Sequence, residues 1–221
     1  MFAEYWKLIS GPFVQTLEMV FFSTIFSVVL GLPIGVLLHI TSSEEQGGII
    51  AMPILNSVLS RIVNILRSFP FIILMIVIMP LSRLIIGTAI GTKATIIPLS
   101  IAAAPFVARV IESALKEVDP GVVQAAKAMG STNWQIIWKV LIPEAMPSLI
   151  SGITLTIINL VGYSAMAGAI GGGGLGDLAI RYGYQRFRTD IMIITVIIII
   201  LLVEIIQLIG NKLAARVLAR R

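Results

Sequence analysis

The sequence predicts an all-α integral membrane protein with five transmembrane helices, and three observations predict it. The first is composition. Of 221 residues, 57% are hydrophobic and 12% charged, where soluble domains carry roughly 45–50% and about 25%. About half the charge needed to dress a water-facing surface is present. The second is run length: the apolar residues gather in stretches that reach the roughly 20 residues a span needs. The third is punctuation, because the polar breaks between those stretches leave five of them. A disordered chain, a disulfide scaffold and almost any soluble enzyme are excluded, since charge is scarce and cysteine absent. The net charge of +5 comes from scattered basic residues, which suits loops that set membrane orientation and not a nucleic-acid surface.

Taken in order, residues 1–7 carry Glu4 and no basic cluster, unlike the start of a signal peptide. The apolar run over about 13–40 is too long for a signal-peptide core of 7–15 residues, so it reads as a retained first span. A polar break follows at Thr41-Ser42-Ser43-Glu44-Glu45-Gln46-Gly47-Gly48. The next apolar run carries Asn56, Arg61, Asn64 and Arg67 in its first half, which is expected to emerge on the polar side. The second span proper then covers about 63–81. Arg83, Gly87, Gly91 and Lys93 make a short loop before a third span at about 95–115. Residues 116–148 form the longest stretch outside the membrane. A fourth span at about 149–170 ends in Gly171–Gly174, a polar loop is expected over 175–190, and the fifth span covers about 191–209.

Five spans put the termini on opposite sides. With the C-terminus cytoplasmic, Arg61, Arg67, Arg109, Lys116, Lys127, Lys139, Lys212, Arg216, Arg220 and Arg221 lie inside. Lys7, Arg83, Lys93, Arg181, Arg186 and Arg188 then lie outside. The inner majority predicts the N-terminus outside and the C-terminus in the cytoplasm, and it places 116–148 in the cytoplasm.

That segment has strong local signals. Asp119 is a good N-cap with Pro120 at the first helical position, where its missing N–H costs nothing. A helix is expected to about Met129, with Gly130 in the left-handed position after it. Thr132 and Gln135 have capping-box spacing for a second helix, which is expected to run to Leu141 and stop before Pro143. Ala125 and Ala126 are small enough for another protein to approach the backbone. On composition alone, an ordinary helical loop between spans fits equally.

The residue pattern says more. Gln124-Ala125-Ala126-Lys127-Ala128-Met129-Gly130, with Ile136 and Leu141-Ile142-Pro143, resembles the "EAA" loop of importer-type ABC permeases. Gln124 stands where that family usually has Glu. Arg67-Ser68-Phe69-Pro70-Phe71-Ile72-Ile73, the stretch 162–170 and Gly172-Gly173-Gly174-Leu175-Gly176 are similar to the permease subunit of bacterial methionine importers. The glycine-rich element also occurs in glycine-betaine and phosphonate permeases. The resemblance implies the type I ABC importer permease fold in a bacterial cytoplasmic membrane. It implies a homodimer with two copies of a separate ABC ATPase and an extracytoplasmic methionine-binding lipoprotein. It also implies that Gln124, Ala125, Ala126, Lys127, Gly130 and Pro143 couple the chain to the ATPase.

Other constellations carry less. Gly171, Gly173 and Gly176 satisfy G-x-G-x-x-G, but a membrane span precedes them and no acid lies about 20 residues on. Asp177 after Gly176 is wrong for a phosphate loop. No nucleotide site, cofactor or metal is therefore expected in this chain, and His39, the single histidine, is expected at the inner interface. No nucleophile–base pair can be assembled, so the chain is not an enzyme by itself. Glu204, Gln207 and Asn211 share one helical face near the inner end of the last span, where hydrogen bonding between helices is the expected role. Asn159, Tyr163 and Met166 recur at i, i+4 and i+7. Such a stripe packs a bundle or lines a path. For a flexible thioether cargo, soft and adaptable groups suit a path, which makes Met166 a candidate gate. A secondary transporter driven by an ion gradient is the rival class; it calls for ionisable residues at mid-depth and matching broken helices, of which the sequence offers little beyond Glu204.

Overall fold

The computed structural model describes residues 2–43 and 47–219, with side chains from Tyr5 onward. Glu44, Glu45 and Gln46 of the expected polar break and Arg220 and Arg221 of the basic tail lie outside the described residues. The regular structure of the described residues is entirely helical: α1 Phe2–Ile40, α2 Pro53–Ser68, α3 Phe71–Ile86, α4 Thr92–Lys116, α5 Pro120–Ala128, α6 Asn133–Ile136, α7 Ile142–Glu144, α8 Met146–Gly168, α9 Gly174–Leu178 and α10 Thr189–Leu218. Helices α1, α4, α8 and α10 are each long and apolar enough to cross a membrane. The pair α2 and α3 makes a fifth candidate if counted as one broken span.

Three expectations are corrected. The second span, expected as one helix over about 63–81, is interrupted at Phe69 and Pro70, where α2 and α3 are bent by 103°. Pro70 supplies no N–H and disfavours helical geometry at the residue before it. The polar loop expected over 175–190 holds instead α9 and a π-helical stretch, Ala179–Tyr184. The second helix of the 116–148 segment does not stop before Pro143. It passes through a π-helical stretch, Ile137–Leu141, into α7. Proline at 143 cannot donate, and its ring crowds the carbonyl four residues back, at Lys139. In the wider π register the Ile142 N–H meets the Ile137 carbonyl, so the chain stays helical.

The chain divides into two compact units. The first comprises Met1–Ser27, Phe69–Ala103 and Thr156–Leu208, and the second Val28–Ser68, Ala104–Leu155 and Ile209–Arg221. The first unit buries Met19, Met75, Leu99 and Leu160 in one cluster and Ile9, Leu175, Leu178 and Ile191 in another. Within it the glycine-rich turn is held from α1: Gln15 Oε1 accepts from the Gly174 N–H at 2.9 Å and Thr16 Oγ1 from the Leu175 N–H at 2.8 Å. A Cβ on Gly176 would lie 2.2 Å from the Ala165 carbonyl oxygen, so this glycine permits close backbone packing.

The second unit is built on α4. Ile111 and Leu115 are buried with Val123, Ala126, Ile136 and Leu141 of the following segment, and Leu38, Val63 and Ala108 form a smaller cluster beside them. Asn56 Nδ2 donates to the Leu38 carbonyl at 2.6 Å and to Thr41 Oγ1 at 3.1 Å, fastening the start of α2 to the end of α1. His39, in the last turn of α1, is 2% exposed, and its two ring nitrogens have no hydrogen-bond partner among the described residues.

Candidate functional site

The segment between α4 and α8 is shaped by local chemistry. Asp119 caps α5 by accepting from the Gly121 N–H at 2.7 Å, and Pro120 occupies the first turn. At the other end the Gly130 N–H reaches the Lys127 carbonyl at 2.9 Å and the Ser131 N–H reaches the Ala126 carbonyl at 3.1 Å. These two bonds are the pair that closes a Schellman motif. Gly130 sits at φ +78° with open space around it, so the backbone conformation alone demands glycine there. Thr132 and Gln135 form the complete capping box, at 2.9 and 3.3 Å. The bend between α5 and α6 is thus fixed by hydrogen bonds at both of its sides.

Burial separates the expected coupling residues. Gln124, Ala125, Lys127 and Gly130 are exposed, and so is Pro143. Ala126 is 3% exposed and lies in the core with Ile111 and Leu115. The small surface expected at both alanines is therefore offered by Ala125 alone, because adjacent helical positions point about 100° apart. Ala126 is small because α4 is close.

Sequence reading missed an apolar surface on the same segment. Met129, Trp134 and Trp138 are 79%, 69% and 46% exposed, with the two indole rings 5.4 Å apart. Exposed aromatic and methionine side chains of this kind mark contact surfaces. Two of the chain's three tryptophans at i and i+4, outside every apolar run, were the available signal.

The segment's base is ionic. Glu112 of α4 is 4% exposed. Its carboxylate accepts from Arg109, and from Lys116 at 2.8 Å. Arg109 also donates to Ser60 Oγ at 2.6 Å and Asn64 Oδ1 at 2.9 Å, which ties α2 to α4. Ser148 donates to the Glu117 carboxylate and so joins the two ends of the segment.

The three path candidates share α8. Asn159 and Tyr163 are half-buried, and Met166 is 47% exposed. The Tyr163 ring stacks on Phe71, centroids 3.9 Å apart and planes 8° from parallel, a partner that sequence spacing gave no reason to name. Of the polar face on α10, Glu204 is exposed, while Gln207 and Asn211 make contacts of their own.

The sequence model of the family described as "Binding-protein-dependent transport system inner membrane component" matches residues 31–219. A Vibrio cholerae protein, called probable D-methionine transport system permease protein MetI, is 54% identical over 203 residues, covering 92% of this chain and 89% of that one. The methionine import system permease protein MetP of Bacillus subtilis is 49% identical over 175 residues, covering 79% and 78%. A chain in the solved structure of the MetNI methionine ABC transporter in inward-facing conformations is similar with a TM-score of 0.91 at 46% identity, over 95% of this chain and 96% of that one.

Proposed function

Since the chain belongs to the family of binding-protein-dependent transport system inner membrane components, we propose that it is the membrane-spanning permease of an ATP-driven methionine importer. It works in the bacterial inner membrane as a homodimer. Two copies of a separate ABC ATPase join it on the cytoplasmic side, and a methionine-binding lipoprotein delivers cargo outside. The observation that carries this reading is the likeness to methionine permeases along nearly the whole chain. ATP hydrolysis belongs to the partner subunit.

The bundle crosses the membrane five times, with the N-terminus outside and the C-terminus in the cytoplasm. One fact supports this topology: the basic residues are in the majority on the side assigned to the cytoplasm.

Coupling follows from the second unit. Gln124, Ala125, Lys127, Met129, Trp134 and Trp138 form the face presented to the ATPase, while Gly130 and Pro143 set its shape. Val123, Ala126, Ile136 and Leu141 share one core with Ile111 and Leu115. Close-packed interiors transmit displacement instead of absorbing it, so moving the segment moves α4. ATPase closure then favours one packing of the bundle over another, to the extent that it contacts the two differently. Asn159, Tyr163 and Met166 line the path, with Met166 at its gate. Uptake of labelled methionine by vesicles holding the permease, the ATPase and internal ATP, with the methionine-binding protein supplied outside, tests the reading. Uptake should need ATP and both subunits. Uptake with no ATPase present would assign the chain to ion-driven transporters, and uptake of betaine without methionine would change the cargo.

A further inference from the structure

Helix α2 has three faces; the packing described above uses one of them and touches a second only through Asn64. Asn56, Ser60 and Val63 face inward, bonded to α1 and α4 or buried. The exposed remainder divides by chemistry. Ile54, Val58, Ile62 and Ile65 make an apolar sector, 81%, 51%, 50% and 60% exposed. Ser57, Arg61, Asn64 and Ser68, at i, i+4, i+7 and i+11, make a polar one, all exposed. At 100° per residue the two sectors lie side by side on the helix surface.

A helix of a broken span with two such sectors has two solvents. Isoleucine and valine suit hydrocarbon. An arginine in a membrane segment faces a water-filled cavity or pairs with another group, and Arg61 has no ion-pair or hydrogen-bond partner among the described residues. Ser68 satisfies its hydroxyl locally by donating to the Asn64 carbonyl at 2.8 Å. The Asn64 side chain accepts from Arg109 at 2.9 Å through its oxygen, and its amide nitrogen remains a donor. The sector therefore offers donors, and its one full charge is positive. In the topology proposed above α2 follows the cytoplasmic break at residues 41–48, so its water is on the cytoplasmic side of the path.

We propose that Ser57, Arg61, Asn64 and Ser68 of α2 line the cytoplasmic half of the translocation path, with the Arg61 guanidinium meeting the carboxylate of the amino-acid cargo. This rests on the permease reading. A guanidinium suits a carboxylate because its planar fork donates two parallel hydrogen bonds. Placed at the exit it draws the cargo inward without enclosing it, which keeps release fast.

The chain contains no cysteine, so single cysteines report accessibility in an otherwise natural sequence. The test places one at each of residues 57, 61, 64 and 68, and at 54, 58 and 65 as the comparison. Inside-out vesicles carrying permease and ATPase are then treated with a membrane-impermeant, positively charged methanethiosulfonate to read labelling, and uptake is read in right-side-out vesicles sealed with the same reagent and ATP inside. Because the thiolate is the reacting form and needs water, the polar-sector thiols should react at least about tenfold faster than the apolar-sector ones. Modification at 57 or 64, which adds bulk beside an intact Arg61, should block methionine uptake. Arg61→Gln should raise the KM for uptake about three- to tenfold, and Arg61→Lys should recover part of that loss. Equal reaction rates in the two sectors overturn the proposal. So does fast modification of the polar sector that leaves uptake and its KM unchanged, which would make it an ordinary wet surface. Untreated wild-type vesicles test the permease reading separately: lack of ATP-driven methionine uptake there refutes that reading, while the labelling contrast still decides the exposure of the sector.

Discussion

Ser148, in the first turn of α8, donates its hydroxyl hydrogen to the carboxylate of Glu117, just past the end of α4. One contact thus joins residues 31 positions apart behind the face assigned to the ATPase. Both side chains are open to solvent, so the bond should contribute about 1 kcal/mol or less to stability. Its larger effect should be on coupling. Ser148→Ala should leave the protein folded, with a thermal midpoint within a few degrees of wild type in detergent, and raise the number of ATP molecules hydrolysed per methionine moved. An unchanged ratio would show that the ends are held by the core alone.

Arg109 carries more. Removing it as Arg109→Ala leaves the buried Glu112 carboxylate with Lys116 alone and frees Ser60 and Asn64 of α2. Breaking a buried ion pair costs about 3 kcal/mol or more, so thermal unfolding in detergent should show a drop of several degrees. Arg109→Lys should recover part of it, because lysine keeps the charge and loses the fork.

Gly130 should tolerate little. Gly130→Val places a β-branched residue at φ +78°, at a cost of about 1–3 kcal/mol from the backbone alone. The surrounding space is open, so Gly130→Asn, which accepts the left-handed region, should be far milder. Limited proteolysis of the 116–148 segment distinguishes them: the valine variant should be cut faster, the asparagine variant at close to the wild-type rate.

The bend at Gly130 was legible in the sequence because every part of it is local. Asp119 and Pro120, Thr132 and Gln135, and the glycine between them each act within four residues. What was not legible depends on partners far along the chain. Ala125 and Ala126 look alike until the phase of α5 against α4 buries one of them. The N–H groups of Gly174 and Leu175 are capped by Gln15 and Thr16, each from 159 residues away, so local sequence there reads as a polar loop. The Ser68–Pro70 break was hidden inside a continuous apolar run. Pro143 reads as a stop in the sequence because a change to π register cannot be inferred from a lone proline. The four long apolar helices α1, α4, α8 and α10 were legible throughout, since length and hydropathy set them.

Topology has its own check. A reporter enzyme inserted at Gly47 or fused to the C-terminus should read cytoplasmic, and one inserted at Arg186 should read external. Gly47 and Arg186 reporting the same side would remove the five-crossing arrangement.

The face that meets the ATPase is tested most directly by Ala125→Trp, measured as co-purification of the ATPase with the permease. Ala125 is exposed and Ala126 is 3% exposed, so bulk at 125 changes only the docking surface, whereas bulk at 126 would disturb the core and report nothing about docking. The Ala125→Trp protein should insert and melt like wild type while retaining little or none of the ATPase. Normal recovery of the ATPase with Ala125→Trp would contradict the assignment of this segment as the coupling element.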